Sequence, residues 1–290
     1  MMNHKITGEE VSPLTSVFAC LSLGISCVLS LYIWSSEHNR DHPSIVKRRF
    51  LSVFFIMLIS PTIIYIFSAK EVLENHNFAE LLGLKADGCL LAALVPIGLT
   101  GVLFLGPLCV QILNYQGTPN FLSGKYWKEH LRNILWWRNH VVAPLTEEFT
   151  FRACMLPLMM QSFKPISATM ITPLFFGVAH FHHIIERLRE GKELKNVLLV
   201  SCFQFAYTTI FGFYSSYLFG RTGHFLAPFV AHVFCNYMGF PDILEIIKQN
   251  GMKKILYICL YLIGLFSWIY LMPMLTNPNW YNNNLYNWDR

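Results

Sequence analysis

The chain has 290 residues, 54% of them hydrophobic and 13% charged, with a mean hydropathy of +0.41. Soluble domains carry about 25% charged residues, so an ordinary soluble globule is excluded. The composition points to an all-α fold, a polytopic integral membrane helical bundle forming a single transmembrane domain over 1–290. The net charge of +5 would suit an anionic partner, but the basic residues are apportioned by loop and report topology; no nucleic acid partner is expected.

The first ten residues, MMNHKITGEE, lack the basic n-region of a signal peptide. The apolar stretch after them is too long for an h-region, so it is read as a retained first span. With about 20 apolar residues needed per crossing, eight candidate spans follow in order, at 14–34, 50–68, 89–113, 140–160, 166–183, 196–219, 224–240 and 255–275. Pro61 and Pro173 fall inside two of them and predict kinks, tolerable where neighbours re-satisfy the freed carbonyls. Between the third and fourth spans, 126–138 alternates Lys128, Glu129, Arg132 and Arg138 with Trp127, Leu131, Ile134, Leu135, Trp136 and Trp137. That pattern predicts an amphipathic helix lying in the membrane interface. The eight cysteines all lie in apolar segments with no CxxC pair, so they read as small buried apolar residues, not as a disulfide framework or a zinc site.

Basic residues then assign the loops to sides. The loops after the first, third, fifth and seventh spans carry Arg40, Lys47, Arg48 and Arg49; Lys125, Lys128, Arg132 and Arg138; Arg187, Arg189, Lys192 and Lys195; and Lys248, Lys253 and Lys254. The other side has only Lys5, Lys70, Lys85, Lys164, Arg221 and Arg290. By the positive-inside rule the first set is cytosolic and both termini lie on the opposite side.

The costly residues lie inside spans. Glu147, Glu148 and Arg152 interrupt an apolar run, and each charge at membrane depth costs roughly 2.5–3.5 kcal/mol. Glu148 and Arg152 are i and i+4 on a helix and can pair. Glu147 points about 100° away and is left for chemistry, unless all three merely lock helix packing. The fifth span carries Phe176 and His180; the seventh carries His232 and Asn236, i and i+4 on one face. At 1.5 Å per residue from the cytosolic ends of their spans, Glu147, His180, His232 and Asn236 lie roughly 10, 5, 12 and 6 Å deep. Their agreement argues for one cytosol-facing site in a region of about 140–240.

A carboxylate beside a histidine can deprotonate a water, and a second histidine with an asparagine amide can stabilise an oxyanion. Together they suggest amide hydrolysis without a covalent intermediate. No HExxH or GxSxG is present. No cofactor is expected, although a metal held by Glu147, His180 and His232 stays open, since these are proper zinc ligands. His182, His183 and Glu186 read as interfacial, with a metal as the lesser option. A non-enzymatic membrane scaffold and a proton or ion transporter are the other readings. The first would not need the intact polar set, and the second predicts polar residues through the full membrane thickness.

Glu147-Glu148 with Arg152, Phe176 with His180, and His232 with Asn236 match in order the patterns EExxxR, FxxxH and HxxxN, and so resemble the CAAX protease and bacteriocin-processing family of membrane proteases. The asparagine, the chain length and the span count look most like its eukaryotic type II CAAX prenyl protease branch. The resemblance implies a glutamate-dependent intramembrane endopeptidase of the endoplasmic reticulum membrane. Its substrates would be the prenylated C-terminal CAAX tails of small GTPases and similar proteins, approached through membrane lipid, with the last three residues removed. By motif position Glu147 and His180 would activate the water, His232 and Asn236 would stabilise the oxyanion, and Glu148 and Arg152 would support the site.

Overall fold

The structure, a computed structural model, describes Ile6 and residues 9–34, 39–114 and 123–286. It is helical throughout, as the composition requires. The described residues contain five helices long and apolar enough to cross a membrane: α1 (Pro13–Ser30), α2 (Pro43–Phe67), the run Pro165–Arg189, α13 (Leu194–Thr222) and α16 (Gly251–Leu275). Their outward faces are apolar, as lipid demands: along α1 the exposed residues are Leu14, Phe18, Leu21, Ile25 and Leu29. Two short helices, α3 (Lys70–Asn75) and α4 (Phe78–Leu81), follow α2.

The expected third span is bent by 68° between α5 (Cys89–Leu103) and α6 (Leu105–Asn114), and makes a sixth crossing only if the bent pair is one span. Pro107 stands four residues past Leu103, where its ring clashes with that carbonyl and it has no N–H to donate, which breaks the helix there. The count of eight thus passes through two further segments. One is α14 (Leu226–Met238), whose 13 residues span only about 20 Å against a hydrocarbon core of about 30 Å. The other is the charged fourth span. The expected interfacial helix is also divided. It forms α7 (Gly124–Arg132) and α8 (Ile134–Trp137), parted at Asn133, whose extended backbone lets its side chain cap the Leu135 N–H.

From α8 the chain runs without interruption to Met160, as a π-helical turn Arg138–Val142, α9 (Ala143–Glu148), a π-helical turn Phe149–Met155 and α10 (Leu156–Met160). Each wide turn precedes a proline, Pro144 or Pro157. A proline cannot make the i→i−4 bond and pushes that carbonyl aside; widening the preceding turn relieves both problems. This run is the centre of the bundle: Phe149 to Met160 are all buried, most of them completely. The long apolar helices surround it, so the segment that carries three internal charges is shielded from lipid.

The Pro165–Arg189 run consists of α11 (Pro165–Ala179) and α12 (His182–Arg189), separated by a turn at His180–Phe181. Helix α11 packs closely on α13. A Cβ on Gly177 would meet Thr209 Oγ1 at 2.2 Å, and one on Gly212 would meet Pro173 Cβ at 2.7 Å. A last short helix, α15 (Ile243–Lys248), leads into α16. The first and last described segments meet at one end of the bundle, where Ile6 N–H donates to the Leu285 carbonyl and the Glu10 and Val11 amides donate to the Gln161 carbonyl. Arg138–Asp41, Arg40–Glu186 and Asn236–Asn139 contacts tie the opposite end together.

Candidate active site

Adjacent glutamates on the central helix face opposite ways. Glu148 is fully buried, while the Glu147 side chain is 30% exposed, into a cavity. Around Glu148 three groups converge. Arg152, one turn on, places Nη1 3.2 Å from Oε1. From α14, His232 Nδ1 lies 2.7 Å from the same oxygen. From α13, the Ser215 hydroxyl donates to Oε2. A carboxylate buried inside an apolar bundle needs such partners, because each unmade bond would leave its desolvation uncompensated.

Glu148 also orients His232. With Nδ1 directed at Glu148, the other ring nitrogen, Nε2, sits 3.7 Å from Glu147 Oε2. The ring is held by Phe211, 4.7 Å away between centroids, and by Phe176 at 6.4 Å. Phe176 has a second task. The Arg152 guanidinium lies 4.4 Å from its ring centroid, an attraction between cation and π face that suits a site without water. His180 stands edge-on to the same ring at 4.7 Å and is fixed by its Nδ1–H, which donates to the Phe176 carbonyl at 2.8 Å. That tautomer leaves Nε2 as an acceptor.

Glu147 and His180 line one cavity of about 250 Å³, together with Cys27, Val53, Thr146 and Phe176. The motif residues of three separate segments therefore meet at one place. Asn236 stands one turn beyond His232 and is exposed; its amide donates 2.8 Å to the Asn139 carbonyl, at the start of the central run. Sequence reasoning missed Ser215 and Phe211, both on α13. A Ser215-Ser216 pair within an apolar helix was the available signal.

The donor atoms bear on a metal. Among the described residues one group of three or more potential ligands comes within 4.8 Å: His182, His183 and Glu186. Both Glu186 oxygens are already engaged, Oε2 by Arg40 and His183 and Oε1 by Arg49, each at 2.9 Å. Two guanidiniums on a carboxylate compete directly with a cation. Glu147, His180 and His232 do not form such a group.

Residues 130–238 match the family model described as Type II CAAX prenyl endopeptidase Rce1-like. The human CAAX prenyl protease 2 is 42% identical over 92% of this chain and 83% of its own length. The rat protein of that name is 37% identical over 92% of this chain and 82% of its own, and the Arabidopsis thaliana one 29% identical over 96% and 94%. No solved structure matches the chain. With the charged helix at the centre, two histidines beside its glutamates and these relatives along nearly its whole length, the chain belongs to the Rce1-like type II CAAX prenyl endopeptidase family.

Proposed function

We propose that this protein, a CAAX prenyl endopeptidase of the membrane, removes the last three residues of prenylated CAAX tails by direct attack of a water held between Glu147 and the two histidines. The observation that carries the reading is the pair of opposed glutamates, one solvent-facing beside His232 and one locked behind it. Glu147 is the general base, and His180 Nε2 accepts a hydrogen bond from the same water. The cluster of Glu147, Glu148 and Arg152 has one carboxylate in excess. A proton shared between Glu147 and His232 Nε2 neutralises it, and places a donor where negative charge develops on the scissile carbonyl. Asn236 supplies the second donor by exchanging the Asn139 carbonyl for that oxygen. Glu147 takes the water's proton as the new C–O bond forms and passes it to the leaving amine as the C–N bond breaks, which completes the hydrolysis.

The prenyl chain explains why the reaction occurs within a membrane. At about 0.8 kcal/mol per buried CH₂ it holds the tail at the bilayer surface. A cavity at the end of the bundle carrying Arg40, Arg49 and Arg138 receives it there; by the positive-inside rule that end is cytosolic and both termini are lumenal, in the endoplasmic reticulum. Substrates of this kind include small GTPases. The test is mass spectrometry of the products formed from a farnesylated CAAX peptide by purified protein in liposomes. An intact C-terminal tripeptide is expected. Stepwise release of single amino acids would overturn the endopeptidase reading for this chain.

A further inference from the structure

The cavity that holds Glu147 has a second chemical feature. Its mouth is lined by three guanidiniums, Arg40, Arg49 and Arg138. Two carboxylates face them. Glu186 is only 10% exposed and takes both Arg40 and Arg49. Asp41 takes Arg138, Oδ1 to Nη1 at 2.7 Å, with Arg40 Nε farther off at 3.6 Å; it is 51% exposed, whereas Arg138 is 21% exposed. The mouth therefore has one cation in excess, and the partner of Arg138 is the one in contact with solvent. Exposed ion pairs of this kind contribute little to stability, so exchanging the partner costs little. Arg138 is positioned from its other side as well: Nε donates to Asn139 Oδ1 at 3.0 Å, and Asn139 in turn accepts from Asn236. Neither bond uses Nη2.

The separation fits a short peptide. Arg138 precedes Glu147 by nine residues on one continuous helical run whose first turn is π-helical, a rise of at most about 13 Å. An extended tripeptide spans at most about 10 Å, and the Glu147 side chain, tilted toward the N-terminal end of the run, shortens the remainder.

We propose that Arg138 is the subsite for the substrate's terminal α-carboxylate, which it takes in exchange for Asp41, and that the distance from Arg138 to Glu147 sets the length of the released peptide. The assignment rests on the proposed endopeptidase reaction and adds its recognition of the chain end. It makes Arg138 a specificity residue: it grips the carboxylate two-pronged, as guanidinium does, and touches no reacting atom. Asp41 is a stand-in that keeps the cation paired and aligned until substrate arrives.

The experiment compares two farnesylated CAAX peptides, one ending in a free carboxylate and one in a carboxamide, on wild type, Arg138→Gln, Arg138→Lys and Asp41→Asn in liposomes. Wild type is expected to prefer the acid by about 10- to 100-fold in kcat/KM, the range for a hydrogen bond to a charged group. Arg138→Gln should lose that factor on the acid alone and cut both peptides equally. Arg138→Lys should retain part of the preference. Asp41→Asn should lower KM for the acid and leave the amide unchanged. A preference that persists in Arg138→Gln overturns the assignment while the endopeptidase reading stands, as does equal cleavage of both peptides by wild type. No cleavage of either peptide by wild type overturns both. Should Arg138→Gln not fold, the Asp41→Asn arm decides: a KM change equal for both peptides refutes the subsite.

Discussion

Ser215 and Ser216 are adjacent, equally buried on α13 and identical in chemistry, yet the site geometry requires opposite outcomes from truncating them. The Ser215 hydroxyl donates to Glu148, a fully buried carboxylate, whereas Ser216 Oγ is buried without a hydrogen-bond partner. Replacing Ser215 by Ala leaves Glu148 with Arg152 and His232 but strips one oxygen of its donor. Hydrogen bonds to charged groups are worth about 1.5–3 kcal/mol, so a loss of roughly 2 kcal/mol is expected. Replacing Ser216 by Ala removes an uncompensated polar group, and its effect should be near zero or slightly stabilising. Because Glu148 orients His232, Ser215→Ala should also lower kcat on a farnesylated peptide, while Ser216→Ala should not. Thermal unfolding in detergent and cleavage kinetics of both variants give the answer. Equal behaviour of the two would refute the arrangement around Glu148.

Gly212→Ala should be destabilising by about 1–3 kcal/mol, because the added methyl would meet Pro173 Cβ at 2.7 Å and Arg152 Nη2 at 3.1 Å; Gly98→Ala, with nothing within 4 Å, is the control in the same unfolding assay. A chelator such as phenanthroline should leave peptide cleavage unchanged, since the arginines already occupy Glu186; loss of activity restored by zinc would refute this. The Arg138 guanidinium beside Asp41 holds its carboxyl below the usual carboxylate range. A depressed folded value means that the contact contributes fully above the unfolded pKa of about 3.9 and is lost as pH falls through the folded one. Stability carried by this pair should be flat from neutral pH to about 5 and fall only in acid, and Asp41→Asn should remove that part of the acid limb in a pH series of unfolding midpoints.

What could be read from the chain alone was what helix periodicity and hydrophobicity encode. The Glu148–Arg152 contact is one helical turn, and composition alone excludes a soluble globule. Other features depended on proximity that sequence order does not carry. Ser215 reaches Glu148 across 67 positions, and Phe211 meets His232 only through the packing of α13 on α14. The π turns before Pro144 and Pro157 follow from local chemistry, but a 3.6-residue period hides them. Helix α14 shows a limit of hydropathy windows: its 13 residues are shorter than a membrane crossing, yet it brings His232 to the glutamates. The break at Asn133 divided a segment whose amphipathic pattern continues across it, because one side-chain cap outweighs a pattern of faces.

The most direct measurement is cleavage of a farnesylated CAAX peptide by Glu147→Gln in liposomes, alongside its unfolding midpoint. The cavity-facing position of Glu147 predicts a protein that unfolds near the wild-type temperature and turns over at least about 1,000-fold more slowly, as expected for loss of a general base. A folded Glu147→Gln protein that cuts the peptide at the wild-type rate would contradict the assignment of the base.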